Sequence, residues 1–138
     1  GLRLGYCLSD DRALLAAMAE EGPPWPVSQL AQQAGISALQ YAPDWPFRVH
    51  QQLEEERRYL SQELSRLRFH VYPSDSNFLL FQGEEGWRER LLDRGILIRS
   101  CADFQGLGPG FYRVCVRSRG ENKRLIQAIQ QEREAFHG

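Results

Sequence analysis

Gly95-Ile96-Leu97-Ile98-Arg99 and Phe111-Tyr112-Arg113-Val114-Cys115-Val116 are two short runs of branched and aromatic residues, and each carries one arginine. Runs of this composition, bounded by turn-forming sequence, predict strands. Between them, Cys101 to Gly110 forms a glycine-rich loop suited to backbone contacts. Upstream, Phe69–Tyr72 and Asn77–Phe81 have the same character and predict two further strands. The stretch Glu84–Arg94 separates the two pairs and reads as a helix. Downstream, Ser118-Arg119-Gly120-Glu121 has the spacing of a capping box, and Leu125, Ile126 and Ile129 fall on one helical face. The order is β-β-α-β-β-α.

Ahead of this pattern, Asp44-Trp45-Pro46 opens the longest helix. Val49, Leu53, Leu60, Leu64 and Leu67 recur along it at helical spacing. The interleaved run Glu54-Glu55-Glu56-Arg57-Arg58 reads as a solvated face supported by i,i+4 ion pairs. The apolar seam is too short and irregular for a coiled coil, so the helix is expected to lie along its own domain. Residues 42–138 then make a compact α/β unit, an α+β sandwich with its own core. Residues 1–41 differ. Gly1 to Leu8 predicts a strand, and Ser9-Asp10-Asp11 caps a helix through Ala13–Ala19 that ends by Gly22. Pro23-Pro24-Trp25-Pro26 is a rigid break, after which Val27–Ala34 predicts a second short helix with Gly35 as its C-cap. One strand and two small helices bury little by themselves, so this segment is expected to be the end of something larger.

The 138 residues carry a formal net charge of -1, which gives no electrostatic reason for a nucleic acid or an anionic membrane as partner. No apolar run is long enough for a span and no signal segment is present, so a soluble, cytoplasmic protein is expected. Cys7, Cys101 and Cys115 are odd in number and widely spaced, which suits neither a disulfide framework nor a zinc site. Cys7 and Cys115 lie in apolar stretches and are expected to be small buried hydrophobes. His50, His70 and His137 are scattered, and no metal site is expected.

Chemistry is therefore sought among the arginines. Arg99 and Arg113 each sit in an apolar strand, where a charge is costly unless paired. Two readings stand open: either arginine reaches the sheet rim and pairs with a surface glutamate, or both face one cavity and bind a doubly anionic small molecule. Arg3 in Gly1-Leu2-Arg3-Leu4-Gly5-Tyr6 is likewise either an exposed strand end or half of a phosphate-binding turn. Asn77 starts a strand and serves equally as a turn residue or a site residue. No nucleophilic triad, Cys–His pair or carboxylate dyad is suggested. Lysine occurs once, as Lys123.

Taken together, Gly1-Leu2-Arg3-Leu4-Gly5-Tyr6, Pro24-Trp25-Pro26-Val27-Ser28, Ser76-Asn77-Phe78-Leu79-Leu80, Gly95-Ile96-Leu97-Ile98-Arg99, Tyr112-Arg113-Val114 and Glu121-Asn122 occur in the order found in one family. Over essentially its whole length the chain resembles the C-terminal part of the pyridoxal-phosphate-dependent aminotransferases of fold type I, in the histidinol-phosphate aminotransferase branch. Within that branch, Ile98-Arg99-Ser100-Cys101-Ala102-Asp103-Phe104-Gln105-Gly106-Leu107 looks most like the threonine-phosphate decarboxylases. Those enzymes release carbon dioxide from L-threonine O-3-phosphate to give aminopropanol phosphate for cobalamin assembly.

The resemblance implies that residues 1–41 are the tail end of a large domain that binds pyridoxal phosphate, and 42–138 a C-terminal small domain. It implies that Arg3 holds the cofactor phosphate, Arg113 the substrate carboxylate and Arg99 the phosphate end of the substrate, with Asn77 nearby. The parent is expected to be a homodimer acting on a small amino-acid phosphate. In the family the lysine that binds the cofactor lies shortly before the Gly-Leu-Arg motif. Lys123, on the solvated start of the last helix, does not replace it, so the chain by itself is expected neither to bind pyridoxal phosphate covalently nor to turn over substrate. A histidinol-phosphate aminotransferase-like transaminase and a non-catalytic binding domain are the alternatives.

Overall fold

The computed structural model describes residues 1–41 and 44–137. Its described residues form five helices and four strands: α1 Arg12–Glu21, α2 Gln29–Tyr41, α3 Trp45–Arg66, β1 His70–Val71, β2 Phe78–Gln82, α4 Trp87–Asp93, β3 Arg99–Ser100, β4 Phe111–Cys115 and α5 Arg119–His137. The chain divides into two compact units, Gly1–Pro46 and Phe47–Gly138. A boundary between 41 and 42 touches residues 42 and 43, which lie outside the described residues.

In the first unit, Asp11 caps α1 by accepting the Leu14 N–H at 2.9 Å, and Ser28 does the same for α2 through the Ala31 N–H at 3.2 Å. Two expectations change here. Gly1 to Leu8 forms no strand, because a strand needs a neighbour for its main-chain groups and no other strand exists among this unit's described residues. Gly35 does not end the second helix, which runs on to Tyr41. A Cβ at Gly35 would stand 2.4 Å from Leu4 Cδ2, so its bare backbone is where the Leu4 side chain lies against α2.

The second unit is built on an antiparallel sheet of order β1-β2-β4-β3. Its central pair sets Leu79 opposite Val114 and Phe81 opposite Tyr112. These four are buried and meet Leu60 and Leu64 of α3, Leu91 of α4 and Ile129 of α5 in one core. The period of two turns Arg113 and Cys115 to the other face. Cys115 is consequently exposed, as is Cys7, and Cys101 is the buried thiol. This corrects the expectation for both: Cys115 has the wrong parity for the core, and Cys7 has no strand to bury it.

Both helices that feed the sheet end in the same device. After α3, Arg68 adopts φ 59°, the Phe69 N–H donates to Leu64 C=O at 3.1 Å and the Arg68 N–H to Ser65 C=O at 2.9 Å. After α4, Gly95 adopts φ 72°, the Ile96 N–H donates to Leu91 C=O and the Gly95 N–H to Leu92 C=O, each at 2.8 Å. Each is a Schellman motif, which satisfies the last helical carbonyls and turns the chain sharply. Tyr112 secures the start of α4: its hydroxyl donates to Glu84 C=O at 3.0 Å and accepts the Trp87 N–H at 3.3 Å.

A polar junction joins α3 to α5. Glu56 is 6% exposed, against the reading of its charge run as a solvated face, and Asn122 is 2% exposed. Arg119 Nε donates to the two Glu56 oxygens at 2.8 and 3.1 Å. Asn122 Nδ2 donates to Glu56 Oε2 at 2.9 Å and to Arg117 C=O at 2.8 Å, while Asn122 Oδ1 accepts the Arg117 N–H at 3.1 Å. Asn122→Ala removes three hydrogen bonds and leaves buried polar atoms unmet. It is expected to lower stability by about 2–4 kcal/mol in denaturant unfolding, and a loss below about 1 kcal/mol contradicts this account.

The capping box forms at the start of α5, where Ser118 Oγ donates to Glu121 Oε2 at 2.7 Å and the Ser118 N–H donates to it at 3.3 Å. The Ser118 hydroxyl, then its N–H, and then the nearby Arg117 charge hold the Glu121 carboxyl below its usual value. A carboxylate lowered on folding stabilises the fold above its unfolded pKa, about 4.3, and loses that contribution as pH falls through the folded value. Glu121→Gln is therefore expected to be less stable than wild type at neutral pH. Thermal melts across the acid range should show the two converging as pH falls through the lowered folded value.

Candidate active site

The expected strand at Gly95–Arg99 is present only in its last residue, and this shortening opens the site. The Schellman motif after α4 commits Gly95 and Ile96 to the helix end, and Ile98 turns into the core. Only Arg99 and Ser100 pair with β4. Leu97, which would have faced Cys115 across the ladder, is 70% exposed. Beyond Arg113 the outer edge of β4 is therefore uncovered, and a cleft of about 390 Å³ occupies the gap.

Arg99 and Arg113 both line this cleft, together with Arg88 of α4 and Arg117 after β4. Arg99 and Arg113 are direct register partners, so their side chains leave neighbouring strands side by side. The other walls are apolar, from Ile96, Leu97 and Phe78, with Glu121 the one carboxylate of the lining. Four guanidinium groups against one carboxylate make the cleft cationic in a chain whose net charge is -1.

The four arginines are not equivalent. Arg117 Nε pairs with Glu121 at 2.6 Å, Arg88 with Glu89 at 3.0 Å, and Arg99 Nη2 with Asp103 at 2.5 Å. Arg113 makes no ion pair and no side-chain hydrogen bond among the described residues, and its guanidinium lies 4.6 Å from the centre of the Phe78 ring. An aromatic face supports a cation without using its N–H donors, so those of Arg113 remain available for an anion. Arg99 has a similar support, 5.6 Å from Phe104. Cys101, two residues on, is buried; burial pushes its thiol up, with Arg113 and Arg99 acting the other way.

Asn77 is not part of the lining. Its side chain is exposed and its carbonyl accepts the Val116 N–H at 2.8 Å, which extends the β2–β4 ladder by one pair. Its neighbour Phe78 is the residue that reaches the cleft. Arg3 belongs to the first unit, exposed and with φ 58°. Lys123 is exposed in the first turns of α5. No group of three His, Cys, Asp or Glu among the described residues is placed to hold a metal ion. Sequence reading passed over Arg88, Arg117 and Asp103. Alternation from Arg113 marks Arg117, and Asp103 follows Arg99 by four residues. Arg88 carries no local signal, since only the packing of α4 brings it to the cleft.

Comparison with known proteins bears on this arrangement. The family model for aminotransferase class I and II matches residues 1–129. The threonine-phosphate decarboxylase of Salmonella typhimurium is 41% identical over 134 residues, covering 94% of this chain and 36% of that protein. The histidinol-phosphate aminotransferase of Methanoculleus marisnigri is 32% identical over 135 residues, covering 94% and 37%. The chain thus spans little more than a third of the length of these relatives. Among solved structures, the histidinol-phosphate aminotransferase from Clostridium acetobutylicum superposes with a TM-score of 0.79 at 22% identity, over 92% of this chain and 40% of that one. The L-threonine-O-3-phosphate decarboxylase from Porphyromonas gingivalis gives 0.71 at 24% identity, over 90% and 40%. Those likenesses establish the fold, and with the match along residues 1–129 they place this chain in the aminotransferase class I and II family of pyridoxal-phosphate-dependent enzymes.

Proposed function

We propose that the Arg99–Arg113 cleft is the substrate-recognition side of a threonine-phosphate decarboxylase, and that its ligand is a small amino acid bearing both a carboxylate and a phosphate. The observation that carries this reading is the pair of register-matched arginines in one cleft, one of them with no carboxylate partner among the described residues. A guanidinium presents parallel N–H donors that match a carboxylate or phosphate in a two-pronged contact. Arg113 binds the substrate carboxylate and Arg99 the phosphate, with Asn77 close by at the head of β2. The 41% identity to the Salmonella typhimurium decarboxylase favours decarboxylation over transamination.

Pyridoxal phosphate needs a lysine amine to anchor its aldehyde, and the one lysine of this chain, Lys123, is exposed at the start of α5. The residues present therefore do not make that cofactor's pocket by themselves. In the whole protein Arg3 contacts the cofactor phosphate, and this 138-residue stretch alone is inactive. The electron sink belongs to the cofactor, while the contribution of this chain is orientation. Fixing two anions of a small substrate leaves its Cα substituents no freedom to exchange places, and their placement decides which bond is lost.

The test uses the full-length protein. With L-threonine O-3-phosphate it is expected to release carbon dioxide without any 2-oxo acid. Each charge-assisted two-pronged contact is worth about 1.5–3 kcal/mol, so Arg99→Ala and Arg113→Ala should each lower kcat/KM by about 10- to 100-fold. Arg124→Ala, an exposed change on α5, should leave it unaltered. Product formation that depends on 2-oxoglutarate makes the parent a transaminase instead, and unchanged kcat/KM in both cleft variants removes the site.

A further inference from the structure

Arg99 and Arg113 are register partners, yet among the described residues one has a carboxylate and the other has none. Asp103 is brought to Arg99 by the backbone of the 101–110 loop. The Cys101 N–H donates to Phe111 C=O at 2.8 Å, which fastens the loop to β4, and the Phe104 N–H donates to Cys101 C=O at 3.0 Å, which closes a turn over residues 101–104. That turn sets Asp103 Oδ2 at 2.5 Å from Arg99 Nη2 and the Phe104 ring beside the same guanidinium. The far end is fixed as well. Gly110 adopts φ 87°, and the Gly83 N–H donates to Gly110 C=O at 3.0 Å. A Cβ at Gly110 would stand 2.5 Å from Gly83 O, so the two backbones meet there without side chains.

The Arg99–Asp103 pair is built in, but it is open to water: the two side chains are 51% and 64% exposed. An ion pair so exposed biases its partners together by no more than about five-fold. A phosphate dianion carries more charge than the Asp103 carboxylate and can accept two parallel N–H bonds from Arg99, where Asp103 accepts one. The cleft can therefore release Arg99 from Asp103 at small cost, and the same carboxylate can take it back.

We propose that Asp103 is an internal competitor for Arg99: it holds the guanidinium in the empty cleft and weakens the grip on a bound phosphate. The inference rests on the reading of Arg99 as the phosphate contact. It gives Asp103 a purpose in turnover. Loss of carbon dioxide removes the anion that Arg113 holds, so the phosphate is the one anion by which this cleft still holds the product. A carboxylate four residues from Arg99, already positioned to recapture it, then favours departure of the product.

Inorganic phosphate and aminopropanol phosphate serve as probes, each measured as a competitive inhibitor of the full-length enzyme. Asp103→Asn removes the competing charge and keeps the shape of the side chain. It should lower both inhibition constants by about three- to five-fold, and the gain should vanish in an Arg99→Ala background while persisting in Arg113→Ala. A merely structural defect does not tighten binding, and it does not depend on Arg99. Unchanged or weakened inhibition in Asp103→Asn, with Arg99→Ala still impaired, overturns the role of Asp103 alone; it would make the residue an orienting partner of Arg99 or a bystander. If Arg99→Ala itself leaves phosphate inhibition unchanged, the phosphate-site reading falls and this inference falls with it.

Discussion

The buried carboxylate of Glu56 is the constraint on which the second unit is arranged. A charge removed from water is tolerated only where donors surround it, and here those donors come from Arg119 and Asn122, more than sixty residues away. Meeting that demand fixes the middle of α3 against the first turn of α5. Asn122 then reaches back to both main-chain groups of Arg117, so the exit of β4 is set by the same junction. Arg117, Glu121, Asn122 and Leu125 all face the cleft. One wall of the site is thus a consequence of satisfying a single glutamate in the core.

The opposite wall arises from competition between a helix end and a sheet. Ile96 and Leu97 have the composition of a strand, and β4 has an open edge to receive them. The Schellman motif claims the Ile96 N–H for Leu91 C=O, and the side chain of Ile98 is itself buried in the core. The hydrogen-bonded carbonyls of Leu91 and Leu92 at the helix end and one buried isoleucine outweigh a few more ladder bonds, since those main-chain groups can be met by water at the edge of a sheet. The lost pairing leaves the gap in which Arg99 and Arg113 lie side by side.

Much of this was legible in the residues, for reasons that are local. The branched and aromatic composition of Phe78–Gln82 and Phe111–Cys115, the caps Asp11 and Ser118, and the apolar spacing of Leu60 and Leu64 each report the backbone within a few positions. What escaped depends on partners remote in sequence. Glu56 is indistinguishable from Glu54 and Glu55 until α5 packs on it. Gly35 reads as a helix stop, yet the Leu4 side chain lies on it. Cys115 lies in an apolar run but on the wrong side of the strand. Arg99 and Arg113 were singled out as charges in apolar surroundings, but which of them would be neutralised depended on the turn at 101–104.

That last difference shapes what the cleft can hold. If every guanidinium had a neighbouring carboxylate, the cleft would carry almost no field, and an incoming anion would have to break an existing pair at each contact. If none had, four like charges would repel across a small volume and work against the fold. The arrangement is intermediate: Arg88, Arg99 and Arg117 are compensated within five residues of their own position, and Arg113, resting on Phe78, is not. A carboxylate is drawn first to the uncompensated arginine, which lies beside the arginine whose pair is most easily exchanged. A ligand with a single anion uses one of these contacts, and a ligand with two anions at short separation uses both. On the proposed reading, the charge pattern of the cleft would by itself discriminate by number and spacing of anions.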